Sequence, residues 1–195
     1  MKKFAKFIRV LTVSPIMAFL LCTLLLFSGL EAFSSRFMYF ICLICLSIIP
    51  VLAYPMEKRF KVVGKRNSSL NERAAERKLA IILSFVSYFV LLLVVFATNQ
   101  PIILKRVCLI YFLCGLLIWF SSTLLNFNAS GHICALIGPI LVLTSFVNYY
   151  YSFLLLLLIP VVWSSLKLKR HTVMQLVAGA LIAVLCFLLS VTLIV

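Results

Sequence analysis

The sequence predicts an all-α protein, a polytopic bundle of six or seven transmembrane helices, on three observations. Its 195 residues are 65% hydrophobic and only 11% charged, where soluble domains carry about a quarter of charged residues. Apolar runs of about 20 residues, the length that crosses a hydrocarbon core, recur from end to end. The cations gather in short stretches between those runs. These features exclude a soluble fold and leave no stretch for a separate soluble domain, so residues 1–195 read as one integral membrane domain.

The elements follow in order. Met1 to Arg9 is basic, and the apolar run after it, 11–30, is too long for the core of a secretory signal and is followed by further spans, so it reads as a first membrane helix. The next run is 37–54. Residues 55–78 form the one extended polar loop, and its second half, Asn71 to Lys78, reads as an amphipathic helical lead into the span 79–97. Spans at 101–125, 132–148, 150–165 and 172–194 complete the chain. All must be helices, because an open backbone cannot satisfy its polar groups in lipid. Pro15, Pro50, Pro139 and Pro160 fall within or near the ends of these runs, where membrane helices accept kinks.

A formal net charge of +14 would suggest nucleic acid in a soluble protein, but cations distributed between apolar segments are topology signals, and no nucleic-acid partner is expected. The acidic residues are Glu31, Glu57, Glu72 and Glu76, with no aspartate, which argues against carboxylate-held Mg²⁺ or Ca²⁺. The cysteines lie within or beside apolar runs without a paired Cys/His cluster, and Cys42-x-x-Cys45 lies mid-span as two small buried hydrophobes. No metal and no other cofactor is expected.

Counted over alternate loops, Lys2, Lys3, Lys6, Arg9, the cluster Lys58 to Lys78, Lys167, Lys169 and Arg170 share one face, against Arg36, Lys105 and Arg106 on the other. The positive-inside rule makes the first face, with the N-terminus, cytoplasmic. The same parity brings the turn Ser130-Gly131-His132 and the turn Arg170-His171 to that basic face. Cations kept for a ligand imitate topology signals, but the N-terminal Lys2, Lys3, Lys6 and Arg9 read as independent of any such site.

His132 and His171 are the two histidines of the chain, and each stands where a polar turn gives way to a membrane helix, a place where ionisable groups are usually functional. Ser130 and Thr172 are N-cap residues for the helices that follow, which leaves backbone N–H groups and two positive helix ends directed out of the membrane. With Lys and Arg nearby this suits a phosphate. A neutral imidazole can attack phosphorus, an imidazolium can protonate the departing alkoxide, and cations with N–H groups can hold the transition-state oxygens. The plainer alternative is two interfacial or interhelical hydrogen-bonding residues.

Asn128-Ala129-Ser130-Gly131-His132 and, after two spans, Ser164-Ser165-Leu166-Lys167-Leu168-Lys169-Arg170-His171-Thr172-Val173-Met174-Gln175 resemble the second and third signatures of the type 2 phosphatidic acid phosphatase superfamily, PSGH and SRxxxxxHxxxD. The stretch from Arg170 to Ala180 is similar to the end of its small bacterial members. The resemblance implies a helical membrane phosphatase of the inner, cytoplasmic membrane that removes phosphate from a lipid phosphate or diphosphate, such as phosphatidic acid or undecaprenyl diphosphate, without a metal. By it, His171 is the nucleophile and His132 the general acid. Ser130 and Gly131 shape the phosphate cradle, Gln175 orients a ring, and Lys169 and Arg170 stand beside the anion. The first signature, KxxxxxxRP, is matched in spacing by Arg66 and Arg73 with Ala74 in place of proline. Arg77 and Lys78, closest to the span, are the preferred cations there, with Arg73 as a further candidate. Gly179 and Ala183 give a small face for helix packing.

The chain departs from the signatures at three places: Ala129 replaces proline, Ser165 stands at the phosphate-binding arginine, and Gln175 replaces the orienting carboxylate. Lys167, Lys169 or Arg170 are candidates to make good the first guanidinium. Losing an orienting carboxylate lowers rate by orders of magnitude while leaving binding intact. The alternative expectation is therefore a weak or inactive relative that binds or transports lipid phosphates.

Overall fold

The computed structural model describes residues 1–60 and 69–194, and every regular element among them is helical. Two helices occupy the first predicted span: α1 (Lys2–Leu11) and α2 (Ser14–Phe27), bent by 50° at the junction. Pro15 explains the break. Its ring would clash with the carbonyl of Leu11, whereas at the start of α2 its missing N–H costs nothing. Helix α1 carries Lys2, Lys3, Lys6 and Arg9, buries Ala5 and Ile8, and packs against the second half of the sixth predicted span.

The second span is a rod made of α3 (Arg36–Leu43), a wider π turn over Ile44–Ile48, and α4 (Ile49–Phe60). Ser35 caps its start, accepting from the Met38 N–H at 3.2 Å. The π turn stands immediately before Pro50, whose ring cannot follow an ordinary α turn; the extra residue in the turn relieves that clash. Helix α5 (Ser69–Ala97) is continuous from the amphipathic lead into the third span. Helix α6 (Ile102–Thr123) returns antiparallel to it, and α7 (Gly131–Phe146) follows.

The next span departs from expectation in its winding. Residues Tyr149–Leu157 form a 3₁₀ helix, and the α-helix proper, α8, runs only over Leu158–Lys167. The change of winding puts Pro160 in the first turn of α8, where N–H groups have no intrahelical acceptor to lose. Helix α9 (Val173–Leu193) closes the chain.

Among the described residues five helices are long and apolar enough to cross a membrane, and six when α1 and α2 count as one bent span. Helix α7 is shorter, with 16 residues, about 24 Å against a hydrocarbon core of about 30 Å. It is also the best-buried helix, with an unbroken buried run from Ile133 to Ile140, packed against α2, α6 and α9. Large side chains such as Phe19, Val90, Leu181 and Leu188 are exposed on the outside, as contact with lipid requires and contact with water would not allow. The seven cysteines are free and buried, Cys42 and Cys45 among them.

At the end away from the histidines, Arg106 donates Nε and Nη2 to the Ile194 carbonyl at 3.1 and 2.8 Å, closing the end of α9. Ser34 donates to Gln100 at 2.7 Å on the same face.

Candidate functional site

Two helix starts make the site, and a glycine lets them meet. The Ser130 side chain caps α7, accepting from the Ile133 N–H at 3.5 Å, while its backbone N–H donates to the Gln175 carbonyl of α9 at 2.9 Å. That approach needs a bare backbone at Gly179, because a Cβ there would overlap the Ser130 carbonyl oxygen. Ala183, one turn further, is fully buried in the same interface. The small residues of α9 therefore fix its first turn against the first turn of α7, and with it the two histidines.

The second histidine is placed by its turn. Helix α8 ends with Lys169 in the left-handed region, at φ +50°. The Arg170 N–H donates to the Ser165 carbonyl at 3.0 Å and the Lys169 N–H to the Leu166 carbonyl at 3.0 Å, the paired closure of a Schellman turn. The chain reverses at once into α9, where Thr172 and Gln175 cap one another. The Gln175 N–H donates to Thr172 Oγ1 at 3.4 Å and the Thr172 N–H to Gln175 Oε1 at 3.1 Å.

Gln175 Oε1 is also 3.3 Å from His171 Nδ1. The backbone N–H of Thr172 fixes that atom as the amide oxygen, which only accepts, so the contact requires the proton on Nδ1. In the neutral ring the lone pair is then on Nε2. Gln175 thus does to the ring what an orienting carboxylate does, without the negative charge.

Both histidines line one cavity of about 480 Å³, together with Arg9, Arg170 and Gly131. Helices α5, α6 and α7 each line it along a nine-residue stretch, from Ala80 to Tyr88, Ile110 to Ile118 and Gly131 to Pro139, so it runs about 12 Å into the bundle. Its polar groups are divided by depth. His132, Arg170 and His171 stand at helix starts, at the mouth; further along the helices the walls are Ala135, Gly138, Pro139 and Ile110, with Pro15 and Pro50 also lining the cavity. Ser14 and Tyr88, which also line it, share a hydrogen bond at 3.5 Å, and the buried Tyr111 hydroxyl has no partner among the described residues.

The other sequence candidates are distributed unevenly. Ser130 is fully buried and does not line the cavity; its hydroxyl is engaged as the α7 cap, so its part in a cradle is to set the helix end. Lys169 is exposed, serves the turn and also lies outside the cavity, as does the exposed Lys78. The side chains of Arg73 and Arg77 lie outside the described residues, as does Arg66. Among the described residues no group of three or more His, Cys, Asp or Glu could hold a metal ion.

Sequence reasoning did not assign Arg9 to this site. Its Nη1 donates to Ser165 Oγ at 3.2 Å, and it lines the cavity. It had been counted as a topology signal independent of any ligand; its place in the cavity removes that independence, and the count for the N-terminus rests on Lys2, Lys3 and Lys6. The missed signal was helical spacing, since Ala5 and Ile8 bury α1 and leave Arg9 beside Ile8 at the bundle edge. Comparison with protein-family models, curated proteins and solved structures found no match to this chain.

Proposed function

We propose that this protein is a lipid-phosphate phosphatase that works through a phosphohistidine and needs no metal. One observation carries the reading: the two histidines of the chain, from two separate helix starts, line the same basic-mouthed cavity. In its neutral form His171 keeps its proton on Nδ1, toward Gln175, and its Nε2 is the nucleophile. Its lone pair forms the N–P bond as the P–O bond to the lipid alcohol or lipid phosphate breaks. His132, protonated, gives its proton to the departing oxygen. The neutral His132 then takes a proton from water as that water attacks phosphorus, which releases inorganic phosphate and frees His171. Arg170, Gly131 and the N–H groups at the start of α7 face the phosphoryl oxygens.

The depth of the cavity supports a lipid. A phosphate at the mouth takes only the outer part of a mostly apolar cavity about 12 Å deep, which suits the first part of an isoprenoid or glycerolipid chain and offers little to a polar soluble ester. The resemblance to the type 2 phosphatidic acid phosphatases rests on the same histidines and is part of this proposal. So is orientation: Lys2, Lys3 and Lys6 support an N-terminus and a mouth at the cytoplasmic side of a bacterial inner membrane.

The test is phosphate release by purified protein in lipid vesicles from undecaprenyl diphosphate, phosphatidic acid and phosphatidylglycerol phosphate. The wild type releases phosphate from at least one and His171→Ala from none. If the two are indistinguishable on all three, the enzymatic reading is lost. Saturable binding without turnover by the wild type identifies a lipid-phosphate binder or transport component instead.

A further inference from the structure

Ser165 is fully buried, yet it is tied to both arginines at the cavity mouth. Its hydroxyl accepts from Arg9 Nη1 at 3.2 Å, and its backbone carbonyl accepts from the Arg170 N–H at 3.0 Å. Helix α1, which carries Arg9, packs on α8, which carries Ser165, and Phe4 against Trp163, with ring centroids 6.3 Å apart, adds to that contact. A flexible guanidinium is thereby fixed at a cavity that both histidines also line.

We infer that Arg9 is a phosphate-binding residue of this site, delivered by the N-terminal helix, and that Ser165 is its positioning residue. The inference rests on the phosphatase reading for the identity of the ligand, but its core is an anion site. A guanidinium presents planar paired donors that match the oxygens of a phosphate, and holding it beforehand reduces what binding must order. The chain thus obtains from its N-terminus a cation that the loop before α9 lacks at position 165. The first helix becomes part of the site, not a membrane anchor alone.

The experiment measures two quantities on full-length protein in vesicles: KM and kcat for lipid-phosphate hydrolysis, and the rise in melting temperature produced by inorganic phosphate. The second needs no turnover. Arg9→Gln raises KM and weakens the phosphate effect by about tenfold to a hundredfold, the range for losing a charged hydrogen-bonding partner. Arg9→Lys is intermediate. Ser165→Ala raises KM with little change in kcat, and Ser165→Thr, which keeps the hydroxyl, restores it. The exchange Arg9→Ser with Ser165→Arg recovers phosphate affinity, which a damaged fold would not do.

Wild-type phosphate affinity in Arg9→Gln overturns the inference, and if His171→Ala is at the same time inactive, the phosphatase reading survives it. Loss of phosphate stabilisation in Arg9→Gln from a wild type that hydrolyses no lipid upholds the anion site and removes the enzyme. Absence of any phosphate effect on the wild type overturns the inference directly.

Discussion

Gly179→Ala places one methyl group between α9 and the turn that opens α7, and the structure sets its cost. The new Cβ would overlap the Ser130 carbonyl oxygen and stand 3.2 Å from the Ser130 nitrogen. Backbone cannot rotate aside as a side chain does, so the helices must separate. Overpacking of this kind costs about 1–3 kcal/mol. Separation also strains the bond from the Ser130 N–H to the Gln175 carbonyl, 2.9 Å in the intact protein, and a buried donor left unpaired costs about 1–3 kcal/mol. Against these, alanine in a helix is favoured over glycine by about 1 kcal/mol. The net expectation is a loss of about 3 kcal/mol, together with loss of activity, because the displaced contact is the one that holds the two histidine-bearing helix starts together. The assay is unfolding in mixed micelles of increasing denaturing detergent, run beside phosphate release. Gly115→Ala and Gly138→Ala are the controls: their new atoms would meet Tyr88 at 3.5 Å and Ile110 at 3.6 Å, ordinary contact with side chains. Both should stay within about 1 kcal/mol of wild type. If Gly179→Ala is as stable as these controls, the close approach of α9 to Ser130 is refuted.

Other outcomes follow from single contacts. Gln175→Ala removes the acceptor 3.3 Å from His171 Nδ1 and frees the ring to take the wrong tautomer, so kcat should fall by about tenfold or more with a smaller change in KM; an unchanged kcat removes Gln175 from the mechanism. Lys169→Gly relieves a side chain held at φ +50° and should stabilise by about 1 kcal/mol without loss of phosphate affinity, as read by detergent unfolding and by phosphate titration. A large loss of affinity would return Lys169 to the anion site. Tyr111→Phe deletes a buried hydroxyl that has no partner among the described residues, and the unliganded protein should gain about 1 kcal/mol; a clear loss of stability would mean that a ligand or water satisfies it. Asn128 is exposed beside Ser130, so Asn128→Cys in a chain stripped of its native cysteines should resist an impermeant thiol reagent in intact cells and react after permeabilisation. Labelling in intact cells reverses the orientation.

What was legible in the sequence follows from what the bilayer enforces. Apolar runs of membrane length, their polar interruptions and the caps Ser130 and Thr172 are local signals, and the helices form where those signals stand. The bend at Pro15, the π turn before Pro50 and the 3₁₀ winding of Tyr149–Leu157 are responses of the backbone to proline and to packing; hydrophobicity alone carries no trace of them. The site was legible where residues adjacent in sequence share a helix start, as His132 and His171 do with their caps. It was not legible where the partner lies 156 positions away, as Ser165 does from Arg9. The resemblance also implies that Ser130 shapes the cradle and that Lys169 stands beside the anion, whereas in the tertiary structure one serves as a cap and the other as a turn.

The central claim is tested most directly by looking for the covalent intermediate. Wild-type protein mixed with a lipid phosphate labelled with ³²P, and quenched within a turnover under alkaline conditions, should retain acid-labile label on the peptide that contains His171. His171→Ala should retain none, and His132→Ala should retain at most a slowly formed trace. Turnover of the labelled lipid by wild type with no label on that peptide, or hydrolysis that persists in His171→Ala, would contradict the account.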